Sequence, residues 1–334
     1  MGGLLAAQPA PASPLVRHAF GEPHMGTTFR IVLYAASAEQ ASRAAEAAFA
    51  RVAALDAALS DYRADSDLTA FVRRAGGPPV AVGPDLFRVL REAQDWARRS
   101  DGAFDVTAGP AVQLWRRARR ILEMPDGAAV GAARSLVGHD KMTLDETART
   151  ARLATARMRL DLGGIAKGFA ADEAQAVLRA HGVTRALVAA GGDVVVSGPP
   201  PGRTGWSVEI ALPAPLRAPL APALELRDAA VSTSGDAEQF VTLGGVRYSH
   251  IVDPRTARAL TGRSAATVIA PRGTVSDALA TAASVLDVER ALALVEATPG
   301  AAAWFAREGP AGVERVESRL WKERGGSHAS ARVH

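Results

Sequence analysis

The chain contains no cysteine. That excludes disulfides, thiolate metal sites, a cysteine nucleophile and anchoring through a lipidated cysteine. It does not fix the compartment, because a protein of an oxidising compartment can also dispense with cysteine. Aromatic residues are scarce, 5% of the chain with only three tyrosines, so few rings are available to grip a flat ligand. No stretch approaches the ~18 apolar residues of a membrane span. Charge of neither sign dominates, and the formal balance is +4. Arg116, Arg117, Arg119 and Arg120 form a basic run with no interleaved aromatics, which argues against a nucleic-acid groove. The run reads as a solvated helical face, with an anion-binding patch as the alternative.

What is present is an apolar fraction of 48% over 334 residues, enough for a sizeable core. That length suits one large unit or two closely associated lobes. Residues 1–22, rich in Ala and Pro, read as a flexible leader or signal remnant; they lack the basic start and long apolar run of a full signal peptide. Residues 23–320 read as one folded unit, and residues 321–334 as a disordered basic tail.

Periodicity places the elements. A strand over Phe29–Tyr34 precedes a helix opened by the Ser37/Gln40 capping box, with Ala44, Ala48, Val52, Leu55 and Leu59 at helical spacing. A second helix runs from Asp85 to about Arg99 and stops at Gly102. The Gly/Ala-rich stretch 127–138 reads as a connector. Strands are expected near 141–144 and 151–160, then at 185–190, 194–196 and 206–210. Gly244-Gly245 between two strand-like runs signals a two-residue hairpin. Another strand over 267–270 leads to helices starting near Thr274 and Asp287. Strands in the middle flanked by helices make this a mixed α+β chain.

Three segments can carry chemistry. Leu160-Asp161-Leu162-Gly163-Gly164-Ile165-Ala166-Lys167-Gly168 is a glycine-rich turn feeding a helix N-terminus, which suits a phosphate but matches neither a P-loop nor the dinucleotide fingerprint. It reads equally as a structural turn. In Ser276-Asp277-Ala278-Leu279-Ala280-Thr281, Asp277 and Thr281 share a helical face and offer hard oxygen donors of the kind Mg²⁺ prefers. The bland alternative makes Asp277 a helix N-terminal charge and Thr281 a small core residue. In the strand ending at Asp253-Pro254-Arg255-Thr256, Val246, Tyr248, His250 and Val252 fall on one face, so His250 is either a packed structural residue or a reactive group shown at a strand end. Asp253 and Arg255 are expected to brace that turn. Met25, Tyr62 and Phe104 could sandwich a flat ring, or simply pack. No serine sits in a nucleophile elbow.

Taken in order, MGTTF, LSDYRADSDL, GAFDVTAGP, LDLGGIAKGFAAD, AAGGDVVVSG, STSGD, YSHIVDPRT and SDALATAASVL resemble the ApbE family of flavin transferases, from about Met25 to Glu296. The resemblance implies a T-fold-like, two-lobed α+β architecture with mixed and antiparallel sheets, the two intertwined lobes holding FAD between them. It implies FAD contacts at Met25, Tyr62, Ala103, Phe104, Asp105, Asp161, Lys167 and Ile251. It implies Mg²⁺ held by the carbonyls of Gly164 and Ala280 and the side chains of Asp277 and Thr281, with His250 as the catalytic residue. The implied reaction moves the FMN moiety of FAD to a Thr or Ser hydroxyl of a partner flavoprotein, typically a subunit of a membrane redox complex, and releases AMP. A bacterial cell-envelope location, periplasmic or on the outer face of the cytoplasmic membrane, is implied too.

Two departures from the family pattern stand out. Ala257-Arg258 replaces the usual glycine after Thr256, and the arginine run replaces the usual apolar continuation after Trp115, so the path from Trp115 to Pro125 is expected to be rearranged. Two other functions fit the same residues: an Mg²⁺-dependent FAD pyrophosphatase yielding FMN and AMP, and a flavin-binding or delivery protein without turnover.

Overall fold

The period-two pattern of residues 27–35 fixes how the sheet is built. Phe29, Ile31, Leu33 and Ala35 are buried on one face, while Val32 and Tyr34 pack on the other. In this computed structural model, which describes residues 14–210, 216, 223–235, 239–309 and 312–324, that strand belongs to an eight-stranded sheet. Its strands are β1 (Val16–His24), β2 (Thr27–Ala35), β3 (Ala186–Ala190), β4 (Asp193–Val196), β5 (Ala229–Gly235), β6 (Ser264–Ala270), β7 (Ala302–Gly309) and β8 (Gly312–Glu317). Spatial order follows chain order, and every neighbouring pair is antiparallel.

The helices are α1 (Ala38–Leu59), α2 (Pro84–Arg99), α3 (Gly109–Ile121), α4 (Gly127–Leu136), α5 (Ala166–Ala180), α6 (Gly273–Val285) and α7 (Val288–Glu296), with two shorter ones at Asp67–Val72 and Arg319–Glu323. Helices α1, α5 and α6 cover one face of the sheet and form the main core with Phe29, Ile31, Val188 and Val268. The opposite face is covered by a two-stranded ribbon, Trp206–Glu209 with Ala223–Leu226, and by Trp321. Gly168 explains how closely α5 and α6 approach. A Cβ there would lie 2.1 Å from the Gly273 carbonyl oxygen, so only glycine permits the contact. A separate three-stranded sheet, Phe240–Leu243, Val246–Asp253 and Arg258–Thr261, packs against α3. A further small sheet joins Val80–Ala81, Thr150–Leu153 and Met142–Asp145.

The capping box forms as expected, Ser37 Oγ accepting from the Gln40 N–H at 3.1 Å. The Gly244-Gly245 hairpin forms with both glycines left-handed, at φ 56° and 79°. Several expectations fail. Val16–Glu22, assigned to a flexible leader, lie in β1 and pair in register with β2; residues 1–13 lie outside the described residues. Met25-Gly26 forms the two-residue turn of the β1–β2 hairpin. The 127–138 connector is helix α4, because its alanines favour helix and Asp126 caps it by accepting from the Ala129 N–H at 2.6 Å. The strand expected over 151–160 ends at Leu153. At the other end, Trp321 and Lys322 lie in the last short helix with Trp321 buried; residues 325–334 lie outside the described residues.

Candidate active site

The β1–β2 turn and the β3–β4 turn lie at the same end of the main sheet. There Gly191 faces Thr27, with a Cβ on the glycine placed 3.5 Å from Thr27 Oγ1. A cleft of about 990 Å³ opens beside these turns. Its walls are the end of α1, the turn 161–167, the exposed face of α3, α6, and the three-stranded sheet at His250 and Ile251. Every residue singled out from the sequence as a site residue lines this one cleft: Met25, Tyr62, Ala103, Phe104, Asp105, Asp161, Gly164, Lys167, His250, Ile251, Asp277, Ala280 and Thr281.

Two clusters, each a cation between acids, mark the cleft. In the first, Arg116 on α3 bridges Asp161, at 2.5 Å, and Asp61, and its guanidinium lies 4.9 Å from the centre of the Tyr62 ring. Burial raises the proton affinity of Asp161, and Arg116 acts against that rise. Tyr62 is 78% exposed, so its ring stands open at the cleft. In the second cluster, Lys167 Nζ lies 2.5 Å from Asp193 Oδ2, with Asp277 beside them. Burial works against the charge on Lys167, but Asp193 and Asp277 more than offset it and hold the ammonium protonated. The Asp277 carboxyl is pushed up to about 7, mainly by burial and then by the neighbouring charge of Asp193. Its Oδ2 accepts the Gly168 N–H at 3.1 Å.

The proposed metal donors converge. A Cβ on Gly164 would lie 2.7 Å from Thr281 Oγ1, which brings the glycine backbone against the threonine hydroxyl one helical turn from Asp277. Among the described residues no group of three or more His, Asp or Glu side chains could hold a metal. A cation here would draw on one carboxylate, one hydroxyl and backbone carbonyls, an all-oxygen set that fits Mg²⁺ rather than zinc or copper.

A family model described as the ApbE family matches residues 25–305. The chain belongs to the ApbE family. It is 36% identical over 296 residues to a FAD:protein FMN transferase of Treponema pallidum, covering 84% of this chain and 82% of that one. A FAD:protein FMN transferase of Vibrio cholerae is 30% identical, with 88% of each chain covered. The crystal structure of Pseudomonas stutzeri flavinyl transferase ApbE, in its apo form, superposes with a TM-score of 0.83 at 29% identity, covering 94% of this chain and 98% of that one.

Within this ApbE member the structure refines several expectations. A bulge between Tyr248 and Val252 breaks the one-face pattern assigned to Val246, Tyr248, His250 and Val252. Val252 is buried while His250 is exposed to the cleft. His250 Nδ1 lies 3.1 Å from the Gln239 carbonyl oxygen, which can only accept, so Nδ1 is the donor in that contact. Phe104 is buried in the main core and forms cleft floor, so it does not stand opposite Tyr62 as one half of an open ring sandwich. The Asp105 side chain caps its own turn, accepting from Thr107 N–H and Oγ1–H at 2.8 and 2.7 Å. Met25 holds φ at +48°, a left-handed conformation costly for this side chain, and its N–H donates to Asp56 Oδ2 at 3.1 Å.

Ala257 takes the left-handed conformation itself, φ +55°, with its methyl buried and its carbonyl accepting from Trp115 Nε1 at 3.0 Å. Asp253 and Arg255 brace the preceding turn as expected, with contacts of 2.9 and 3.1 Å. α3 continues through the arginine run to a left-handed cap at Leu122. Of the run, Arg117 and Arg120 are solvated, as a helical face would be, while Arg116 and Arg119 line the cleft. Arg116, Asp61 and Asp193 are the site residues sequence reasoning missed. The i,i+3 spacing of Arg116 and Arg119 puts them on one face of the helix, but Arg117 and Arg120 share that spacing, so the sequence does not say which face meets the cleft.

Proposed function

We propose that this chain transfers the FMN moiety of FAD to a threonine or serine hydroxyl of a partner flavoprotein, using Mg²⁺ and releasing AMP. Membership of the ApbE family, with alignment to FAD:protein FMN transferases over 84% and 88% of the chain, makes it an enzyme of that class. The observation that carries the finer reading is convergence. One cleft holds an open tyrosine ring, the Lys167 ammonium, the oxygen donors of Gly164, Asp277 and Thr281, and a histidine whose Nδ1 meets the Gln239 carbonyl.

Bound Mg²⁺ would supply charge neutralisation and orientation at the pyrophosphate oxygens. The chain's own groups do the rest. Lys167 and the N-terminus of α5 present positive charge to a phosphate entering above the glycine turn. Tyr62 offers a flat face to the flavin. His250 Nε2 accepts the proton of the acceptor hydroxyl as its oxygen attacks the FMN-side phosphorus. The phosphorus–oxygen bond to the AMP phosphate breaks, and AMP leaves with the bridging oxygen. We place the acceptor in a membrane redox complex and the enzyme in the bacterial cell envelope, by family resemblance. No helix of the described residues is long and apolar enough to cross a membrane.

The decisive experiment incubates the protein with FAD, Mg²⁺ and a threonine-bearing acceptor flavoprotein, following AMP by chromatography and the acceptor by mass spectrometry. Expected is AMP in step with flavin-modified acceptor. Free FMN with unmodified acceptor would instead establish the pyrophosphatase, and intact FAD would establish a carrier. His250→Ala should keep FAD binding and lose roughly 10²–10⁴-fold in transfer; an unchanged rate would make His250 structural.

A further inference from the structure

The main cleft has a volume of about 990 Å³. Within it, Arg116 is the group that neither the family pattern nor the reaction assigns. It sits on α3 and reaches two segments far from it in sequence. One is the turn after α1, through Asp61. The other is the glycine-rich turn, through Asp161 at 2.5 Å. The same guanidinium lies 4.9 Å from the Tyr62 ring centre. Three of its contacts therefore fall on one end of the cleft, and its side chain is only 29% exposed.

A planar guanidinium has donors for two carboxylates at once and a flat face for an aromatic ring, which lysine lacks. Without it, Asp61 and Asp161 would face each other with no shared cation, and Tyr62, 78% exposed, would lose the group lying over its ring. The guanidinium and the flavin cannot both occupy one face of that ring. Arg116 on one face leaves the other for a ligand.

From this geometry we infer that Arg116 is a positioning residue for FAD: it fixes Tyr62 and Asp161 in the orientation that receives the flavin end of the dinucleotide, and takes no part in phosphoryl transfer. The inference rests on the reading of this cleft as an FAD site. It sets Arg116 apart from Lys167 and Asp277, which belong to the phosphate end of the cleft. Arg116 acts before chemistry, on binding, so it should change the affinity for FAD and leave the rate of the bound complex alone.

The test compares Arg116→Gln and Arg116→Lys with the parent protein, measuring FAD affinity by the change in flavin fluorescence on titration and transfer by single-turnover AMP release at saturating FAD. Arg116→Gln should weaken FAD binding about tenfold, on the scale of a lost charge-assisted pair. Its single-turnover rate should stay within about threefold of the parent, since the contact is the same in ground and transition states. Arg116→Lys should recover part of the affinity through the carboxylates but not the fluorescence quenching that depends on the ordered ring. Unchanged affinity in Arg116→Gln overturns the inference, and so does a collapsed single-turnover rate with unchanged affinity. If Arg116→Gln fails to fold by near-ultraviolet circular dichroism, Arg116→Lys and Asp61→Asn carry the test, and parental affinity and quenching in both would overturn it. A parent protein that binds no FAD at all would overturn the reading of the cleft itself, an outcome distinct from any difference among variants.

Discussion

The two acid–cation–acid clusters of the cleft share a formula and differ in what they leave unmet. At the Tyr62 end, Arg116 meets both of its carboxylates directly, and all three side chains keep 14–29% of their surface. At the other end, where we propose the phosphates lie, Lys167 pairs with Asp193, whose side chain is 3% exposed. Asp277, 5% exposed, accepts a backbone N–H but has no ion pair among the described residues closer than the 4 Å limit of a salt bridge. In the first cluster both acids are paired directly to the cation, which makes it a brace, although burial raises the proton affinity of Asp161 there too. The second holds back negative charge, which burial converts into a carboxyl raised to about 7. A buried acid left short of a partner is what a cation site requires, whereas a satisfied one gives stiffness.

The sharpest way to break this contrast is Asp277→Ala. It should cost at least about 10²-fold in Mg²⁺-dependent AMP release, on the scale reported for groups that support a metal, while the fold survives. Full turnover at saturating Mg²⁺ would remove Asp277 from the phosphate end. Next in size is a stability difference. Lys167→Met leaves Asp193 and Asp277 buried without their cation and should lower unfolding free energy by about 3 kcal/mol in urea denaturation. Arg116→Met, in a more solvated cluster, should cost about 1 kcal/mol or less. Equal costs would mean that burial does not separate the two clusters.

The raised Asp277 carboxyl predicts a pH effect of definite sign. The folded protein holds this proton up to about 7, while the unfolded chain releases it near 3.8. The contribution of Asp277 to metal-free stability is therefore complete below about 3.8 and lost as pH rises through about 7. A cation needs the ionised form, so stabilisation by Mg²⁺ should grow over the same rise and level off above it. Melting temperatures with and without Mg²⁺, taken from pH 5.5 to 8.5, check this; a stabilisation largest at the acid end would contradict it. The smallest effect expected is Ala257→Gly. It relieves a left-handed alanine, worth about 1 kcal/mol, but deletes a buried methyl of similar worth. Thermal unfolding should move by no more than a few degrees, and a large loss would show that the methyl packing against Trp115 outweighs the backbone strain.

The sequence reached unequally into the two clusters. Lys167 and Asp277 were legible because each sits in a local pattern: a glycine turn before a helix, and an acid and a hydroxyl one helical turn apart. Arg116 was not, because its partners Asp61 and Asp161 lie 55 and 45 residues away. Nothing along α3 distinguishes it from Arg117 until the fold shows which side faces the cleft. The same limit hid β7 and β8. Residues 302–306 are buried throughout, so β7 shows no alternation to read. The orientation of His250 failed for a related reason, since a bulge is set by pairing with a neighbouring strand.

By itself, then, the sequence determined what depends on neighbours a few residues apart: the capped α1, the Gly244-Gly245 hairpin, the placing of Asp277 and Thr281 one turn apart on α6, and the absence of any thiol chemistry. The ordered motifs added the family. Only the tertiary structure decided which cation meets which acid, which nitrogen of His250 meets the Gln239 carbonyl, and that Asp277 is buried without a direct ion pair. Those outcomes depend on burial and on contacts between distant segments, and neither quantity exists along an extended chain.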